Sequence, residues 1–375
     1  MLTKHIRRVI MNTEFSKKYL RIFINIYKYK NHTVITRRLR TEEAVLNSKK
    51  ITQKDINPFS NSDTNKRYYT YDYWLRKTFG GKCMKIPIDA GFTCPNIDGK
   101  CSVGGCIYCS PRGSGDFACT PLTPPVMQFE AIKEKLSSKW KTDKYIPYFQ
   151  AHTNTYAPVS VLREKFEPVL RLDGVVGMNI ATRADCIDRE IAAYLADIAN
   201  RTLLTVELGL QTAHDKTAFL INRGHTYRDF LDGYELLKNA SDKIRICVHL
   251  IYGLPGEDRD MMIESTKKLA SLVPDQVKLH LLHVLKNTEM EKMYLSGKYI
   301  PLSMEEYINI VCEALCVLPP DTVIGRITGD GMQSELIAPD WSRKKTIVIN
   351  NIDKKMFADN LWQGKYYTPQ GQANC

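Results

Sequence analysis

Cys94, Cys106 and Cys109 stand in a C-x11-C-x2-C run within GFTCPNIDGKCSVGGCIYCS, residues 91–110. Thiolates at this spacing bind metal. Three of them are one short of closing a [4Fe–4S] cluster, so one iron is left open to a ligand from outside the chain. Tyr108 is the aromatic residue between the last two cysteines. Gly99, Gly104 and Gly105 let the backbone wrap a bulky inorganic cube and turn amides toward its sulfides. A zinc knuckle or a structural disulfide uses the same C-x2-C pair. Cys101, inside the run, would close the site if it also coordinated.

Such a loop needs a rigid frame. Apolar, β-branched segments at 83–88, 145–151, 174–181, 203–210, 244–252 and 277–284 alternate with helical periodicity at 127–140, 159–170, 188–199, 227–237 and 261–272. Strands apolar on both faces, separated by helices, predict a parallel barrel or an open parallel sheet. Chemistry in such folds sits at the carboxyl ends of the strands. The cysteine run directly follows the first strand. Past that series, Ser303 and Glu306 read as a capping box opening a helix to Leu318, which Pro319 and Pro320 stop. Cys312 and Cys316 share the apolar face of that helix and read as core. Three parts follow: a basic extension over 1–66, a core over 67–290 and a C-terminal α/β extension over 291–375.

Composition narrows the class further. A chain of 375 residues with 43% hydrophobic and 25% charged side chains can bury a large core. Eleven cysteines without a secretory signal point to a reducing compartment and a cytoplasmic location. No apolar run approaches the roughly 20 residues that span a bilayer. The net charge is +12, and sixteen Lys/Arg against five Asp/Glu fall within residues 1–67, so the remainder is close to neutral. An arm carrying Arg37, Arg38 and Arg40 suits RNA phosphates or a solvated tail. Its acid-poor opening, with an apolar patch at Leu20 to Tyr27, faintly resembles an organelle transit peptide but is Lys/Asn-rich rather than Ser-rich.

The motifs DAGFTCPN, GGCIYC, FQAHTNTYAP, VELGLQTAHDKTAFLINRGH, HLIYGLPGED, VKLHLLHVLKNTEM, RITGD and LIAPDW occur in that order. Over about residues 68–367 the chain resembles the YhcC-like family of radical S-adenosylmethionine (radical SAM) enzymes. That family is a relative of the branch holding the Elongator catalytic subunit and coproporphyrinogen dehydrogenase. The resemblance implies a partial (β/α)6 TIM-type barrel of the radical SAM class with a C-terminal α/β extension. It implies a [4Fe–4S] cluster on Cys94, Cys106 and Cys109, whose open iron chelates S-adenosylmethionine and splits it to a 5′-deoxyadenosyl radical. An electron donor such as flavodoxin or ferredoxin is then required.

By the same resemblance Tyr108, Gln150, Glu207, Gln211, Arg223 and Gly253 bind the cofactor, Arg223 by clamping its carboxylate. Arg183, His280 and His283 fall on the substrate side, and no catalytic residue is assigned. Glu207 with Gln211 would otherwise be a structural hydrogen-bonded pair, and Arg183 a surface ion pair with Asp185. Cys101 departs from the family pattern. The expected reaction is on tRNA, at the side chain of a modified wobble uridine. The alternatives are a small molecule such as a tetrapyrrole, or a non-catalytic metal- or RNA-binding protein. Intact Cys94, Cys106 and Cys109 with Glu207 and Arg223 argue against a degenerate site.

Overall fold

Parallel pairing carries the architecture of the computed structural model, which describes residues 57–369 apart from Ser114, Asp116, Phe117 and residues 330–332. The basic arm with Arg37, Arg38 and Arg40 lies outside the described residues. After helix α1 (Tyr71–Phe79), strands β1 (Met84–Ile88), β2 (Tyr145–Phe149), β3 (Gly177–Thr182), β4 (Leu203–Gln211), β5 (Ile244–Tyr252) and β6 (Gln276–Leu281) follow in chain order. Helices α2 (Pro125–Ser137), α3 (Val159–Leu170), α4 (Arg189–Arg201), α5 (Asp215–Leu220), α6 (Tyr227–Ala240) and α7 (Arg259–Ala270) connect them. The strands lie side by side in sequence order, every neighbour parallel. That is the result of successive right-handed crossovers.

A seventh strand completes the sheet. After β7 (Val284–Leu285), α8 (Glu289–Leu295) and α9 (Met304–Val317), β8 (Val323–Arg326) pairs parallel with β6. The periodicity of the sequence had indicated six strands; four residues behind Pro319 and Pro320 are too few to register as a repeat. β9 (Leu336–Ala338) pairs with β7, and α10 (Lys345–Ala358) packs beside α9. The sheet's two edges are β1 and β8, so it is a half-barrel with a seam. Near that seam the chain just before α1 reaches β8, with Ile324 N–H donating to the Tyr69 carbonyl at 2.7 Å.

Burial explains the strand composition. Seven consecutive residues of β4, Leu204–Leu210, are buried, because helices cover one face and the barrel interior the other. Ile86, Ile180, Val206, Ile246 and Leu279 have no exposed surface. Each such side chain contributes about 2 kcal/mol from burial alone. Ser303 caps α9 through a capping box with Glu306, and Cys312 and Cys316 are buried on its inner face, as the sequence indicates.

Candidate active site

Residues 91–113 leave β1 at its carboxyl end and are folded by their own backbone. Ile97 and Asp98 donate to the Cys94 carbonyl, Gly105 to that of Asn96, and Cys109 to that of Cys106. Asn222 then ties this loop to the turn after α5. Its Nδ2 donates to the carbonyls of Val103 (3.0 Å) and Gly105 (2.7 Å), and its Oδ1 accepts from the Ser102 hydroxyl. Asn96 Nδ2 donates to the Asn222 carbonyl and approaches Cys106 Sγ at 3.5 Å. Neither asparagine stood out in the sequence. The signal available was their place inside CPN and INRGH, and Asn222 sits at φ 51°, a backbone Asn tolerates better than most residues.

This tether gathers Cys94, Cys106 and Cys109 on the wall of one cavity of about 160 Å³. Cys101 turns away: its Sγ meets Asp185 Oδ2 at 3.6 Å, and it does not line that cavity. Three thiols with Asn96 beside one of them are a donor set for a cluster with one open metal. Gln150, Arg183, Glu207, Gln211, Arg223 and Tyr108 share the same wall. Arg223 Nη2 donates to the Gly209 carbonyl at 2.7 Å, while its buried Nε has no partner. Gln211, at φ 67° beside a β-bulge, presents a buried Oε1 without a donor. Gly209 makes room for both: a Cβ there would lie 2.7 Å from Gln211 Nε2 and 3.0 Å from Arg223 Nη2. The pocket holds unused acceptors and donors beside its thiols, as a zwitterionic ligand at the open metal requires.

Tyr108 also lines a second cavity of about 240 Å³ together with Gln150, Gln211, His249, Lys278, His280, His283 and Arg326. Burial, then the neighbouring His249, pushes His280 well down, so it is a neutral imidazole, and its buried Nε2 has no partner. Arg183 lies instead on the thiol side. Its guanidinium grips Asp185 through two bonds of 2.9 and 2.7 Å and donates to the Arg223 carbonyl at 2.8 Å. The ion pair with Asp185 is present, but buried rather than at the surface as the alternative reading had it.

Glu207 forms the floor between the cavities. One residue from each of six strands meets there: Lys85, Tyr148, Asn179, Glu207, His249 and Lys278. Oε1 accepts from Lys85 Nζ (3.2 Å) and Asn179 Nδ2 (2.8 Å), and Oε2 from the Tyr148 hydroxyl (2.7 Å), His249 Nε2 (2.9 Å) and Lys278 Nζ. Five donors fill the carboxylate. The resemblance implied a contact with cofactor for Glu207, whose carboxylate here is engaged by these five donors. Burial would raise its pKa, but the ammoniums of Lys278 and Lys85 outweigh that and hold it well below the usual range. Glu207, Cys247 and His249 lie close enough to suggest a metal site. Two ammonium groups on the same carboxylate disfavour a further cation there.

Gly253 is likewise engaged elsewhere. Its N–H points at Met262 Sδ (3.1 Å), its carbonyl accepts from the Tyr299 hydroxyl (2.7 Å), and it lines neither cavity. Of the expected cofactor and substrate residues, the fold brings Tyr108, Gln150, Glu207, Gln211, Arg223, Arg183, His280 and His283 to the two cavities. Lys85, Tyr148, Asn179 and His249 were missed. Each reads as an ordinary strand residue until the register of six strands stacks them.

A parallel half-barrel with three thiols at the carboxyl end of its first strand defines the class of S-adenosylmethionine radical enzymes. The sequence model of the Radical SAM superfamily matches residues 97–269, and that of the Radical_SAM C-terminal domain residues 274–358. The Bacillus subtilis (strain 168) protein YtqA is 50% identical over 83% of this chain and 96% of its own length. The Escherichia coli (strain K12) protein YhcC is 31% identical over 75% of this chain and 89% of its own. The tRNA uridine(34) acetyltransferase of Methanocaldococcus jannaschii is 33% identical over 41% of this chain and 28% of its own length. Among solved structures, archaeal Methanocaldococcus infernus Elp3 shares the fold at TM-score 0.56 and 19% identity, over 75% of this chain and 64% of that one. The chain belongs to the YhcC-like group of the radical SAM superfamily, and it is an enzyme of that class. No helix among the described residues is long and apolar enough to cross a membrane.

Proposed function

We propose that this enzyme modifies tRNA, at the side chain of a wobble uridine. The observation carrying the chemistry is the single cavity walled by Cys94, Cys106 and Cys109 and opening toward a second one lined by imidazoles. The substrate rests on a relative named as a tRNA uridine(34) acetyltransferase. When bound, a [4Fe–4S] cluster with S-adenosylmethionine supplies a 5′-deoxyadenosyl radical that takes hydrogen from substrate.

The chain's own residues prepare for that event. Cys94, Cys106 and Cys109 would hold the cluster and leave its fourth metal position for the cofactor. Arg223, whose Nε is unpartnered, would receive the cofactor carboxylate, and Gln211 Oε1 would accept from its amino group. Gln150 and Tyr108 line both cavities. His280 and His283 line the substrate side as polar walls without adding charge from His280. The electron comes from a small redox protein of the flavodoxin or ferredoxin kind.

Total tRNA added to the reduced, anaerobically reconstituted enzyme tests the substrate. Consumption of S-adenosylmethionine rises several-fold with tRNA and a modified nucleoside with altered mass appears in its digest. No response to tRNA, with robust turnover on a tetrapyrrole or another small molecule, would contradict this assignment.

A further inference from the structure

A third cavity, of about 190 Å³, sits at the seam where the edge strands β1 and β8 face each other. Lys85 from β1, Lys278 and Gln276 from β6, and Gly325 and Arg326 from β8 wall it, with Gln150 and Tyr148 common to the imidazole-lined chamber. Lys278 and Arg326 line both as well. Among the described residues no acidic side chain lines this space.

Its polar groups are donors in excess. Among the described residues Glu207 is the one carboxylate that reaches Lys85 and Lys278, so the partly exposed Lys85 and the buried Lys278 share a single negative charge. Lys85 spends one bond on Glu207 and lies over the Tyr148 ring at 4.1 Å; an ammonium has three N–H groups. Gln276 has no exposed surface, yet neither its Nε2 nor its Oε1 has a partner, and Gln150 Nε2 is equally unmatched. A buried amide without partners costs about 1–3 kcal/mol, a cost that a bound polar group would relieve. Gly325 is part of the arrangement. A Cβ there would lie 2.4 Å from Gln276 Nε2 and 3.1 Å from Lys278 Cγ.

We propose that the seam cavity binds an oxyanion, a carboxylate or phosphate group, carried by the substrate whose reacting carbon occupies the adjoining chamber. An acceptor-only group matches the Lys85 and Lys278 ammoniums and the Nε2 donors of Gln276 and Gln150 at once. It also neutralises the surplus charge that Glu207 leaves. This inference rests on the second cavity being the substrate chamber.

The test uses the full chain without cluster or cofactor, titrated with sodium phosphate, acetate or succinate against chloride at matched ionic strength. One anion raises the melting temperature saturably, and its identity names the group. Gln276→Glu places a carboxylate in the cavity, so that variant is more stable than the parent and its anion response falls at least tenfold. Gly325→Ala, which fills the space without changing charge, also loses the response. The same anion, added to the tRNA reaction, raises KM for tRNA and leaves kcat unchanged. No saturable effect of any of the three anions, an undiminished response in both variants, or an anion effect independent of tRNA concentration overturns the proposal. Failure here leaves S-adenosylmethionine cleavage intact, whereas failure of cleavage leaves anion binding measurable, so the two readings are separable.

Discussion

Glu207 shows how one residue type changes meaning with its surroundings. A carboxylate on an apolar strand signals a site, because its burial is costly without partners. The partners are internal, one from each of the other five strands β1–β3, β5 and β6, and Glu207 organises the floor of the chamber. His249 is fixed by this. A carboxylate can only accept, so Nε2 carries the proton and Nδ1 is the acceptor. Burial, then Lys278, pushes its pKa down to about 4 against the pull of Glu207. The folded imidazole is neutral while the unfolded one takes a proton below about 6.5, so the unfolded chain binds more protons between pH 6.5 and 4. Stability therefore falls as pH drops through that window. Urea denaturation at pH 6.5 and 5 checks it: His249→Gln, which keeps a donor for Glu207 but does not titrate, loses about 1 kcal/mol less per pH unit than the parent. Equal slopes would contradict a neutral His249.

At the scale of elements, legibility followed period. The six strand–helix pairs were plain because each strand is apolar on both faces and each helix keeps one apolar side. β8 escaped notice because four residues carry no period. The cysteine loop was legible as chemistry, but what holds it was not. Asn96 and Asn222 act through backbone carbonyls 100 or more residues apart in sequence, and nothing in local composition announces such a tether. The surroundings of Gly253 were hidden for a related reason: GLPGE looks like a ligand loop, and in the fold its glycine meets Met262 and Tyr299. The bulge ending β4 carries a further expectation. Gly209→Ala displaces the side-chain ends of Gln211 and Arg223 rather than the sheet. Its unfolding midpoint stays near that of the parent, and binding of S-adenosylmethionine to the reconstituted protein weakens at least tenfold. An unchanged dissociation constant would mean that neither side chain touches the cofactor.

Among the described residues, three adjoining cavities lie along the parallel sheet, lined in turn by thiols, imidazoles and cations, all drawing on residues of the barrel interior. Polar groups from six strands are stacked under the thiol loop so that the chamber floor is rigid before any ligand arrives. Cofactor class and sheet were readable from motifs spread over about residues 68–367. The seam cavity was not, because Lys85, Gln276 and Gly325 meet only when β1 and β8 become the two edges of one half-barrel. The central claim is that Cys94, Cys106 and Cys109, without Cys101, support radical chemistry. Its most direct test is 5′-deoxyadenosine formed by anaerobically reconstituted, reduced protein supplied with S-adenosylmethionine. The parent and Cys101→Ser form it with about four irons per chain, and Cys109→Ala forms none. Deoxyadenosine from Cys109→Ala, or its loss in Cys101→Ser, would contradict the account.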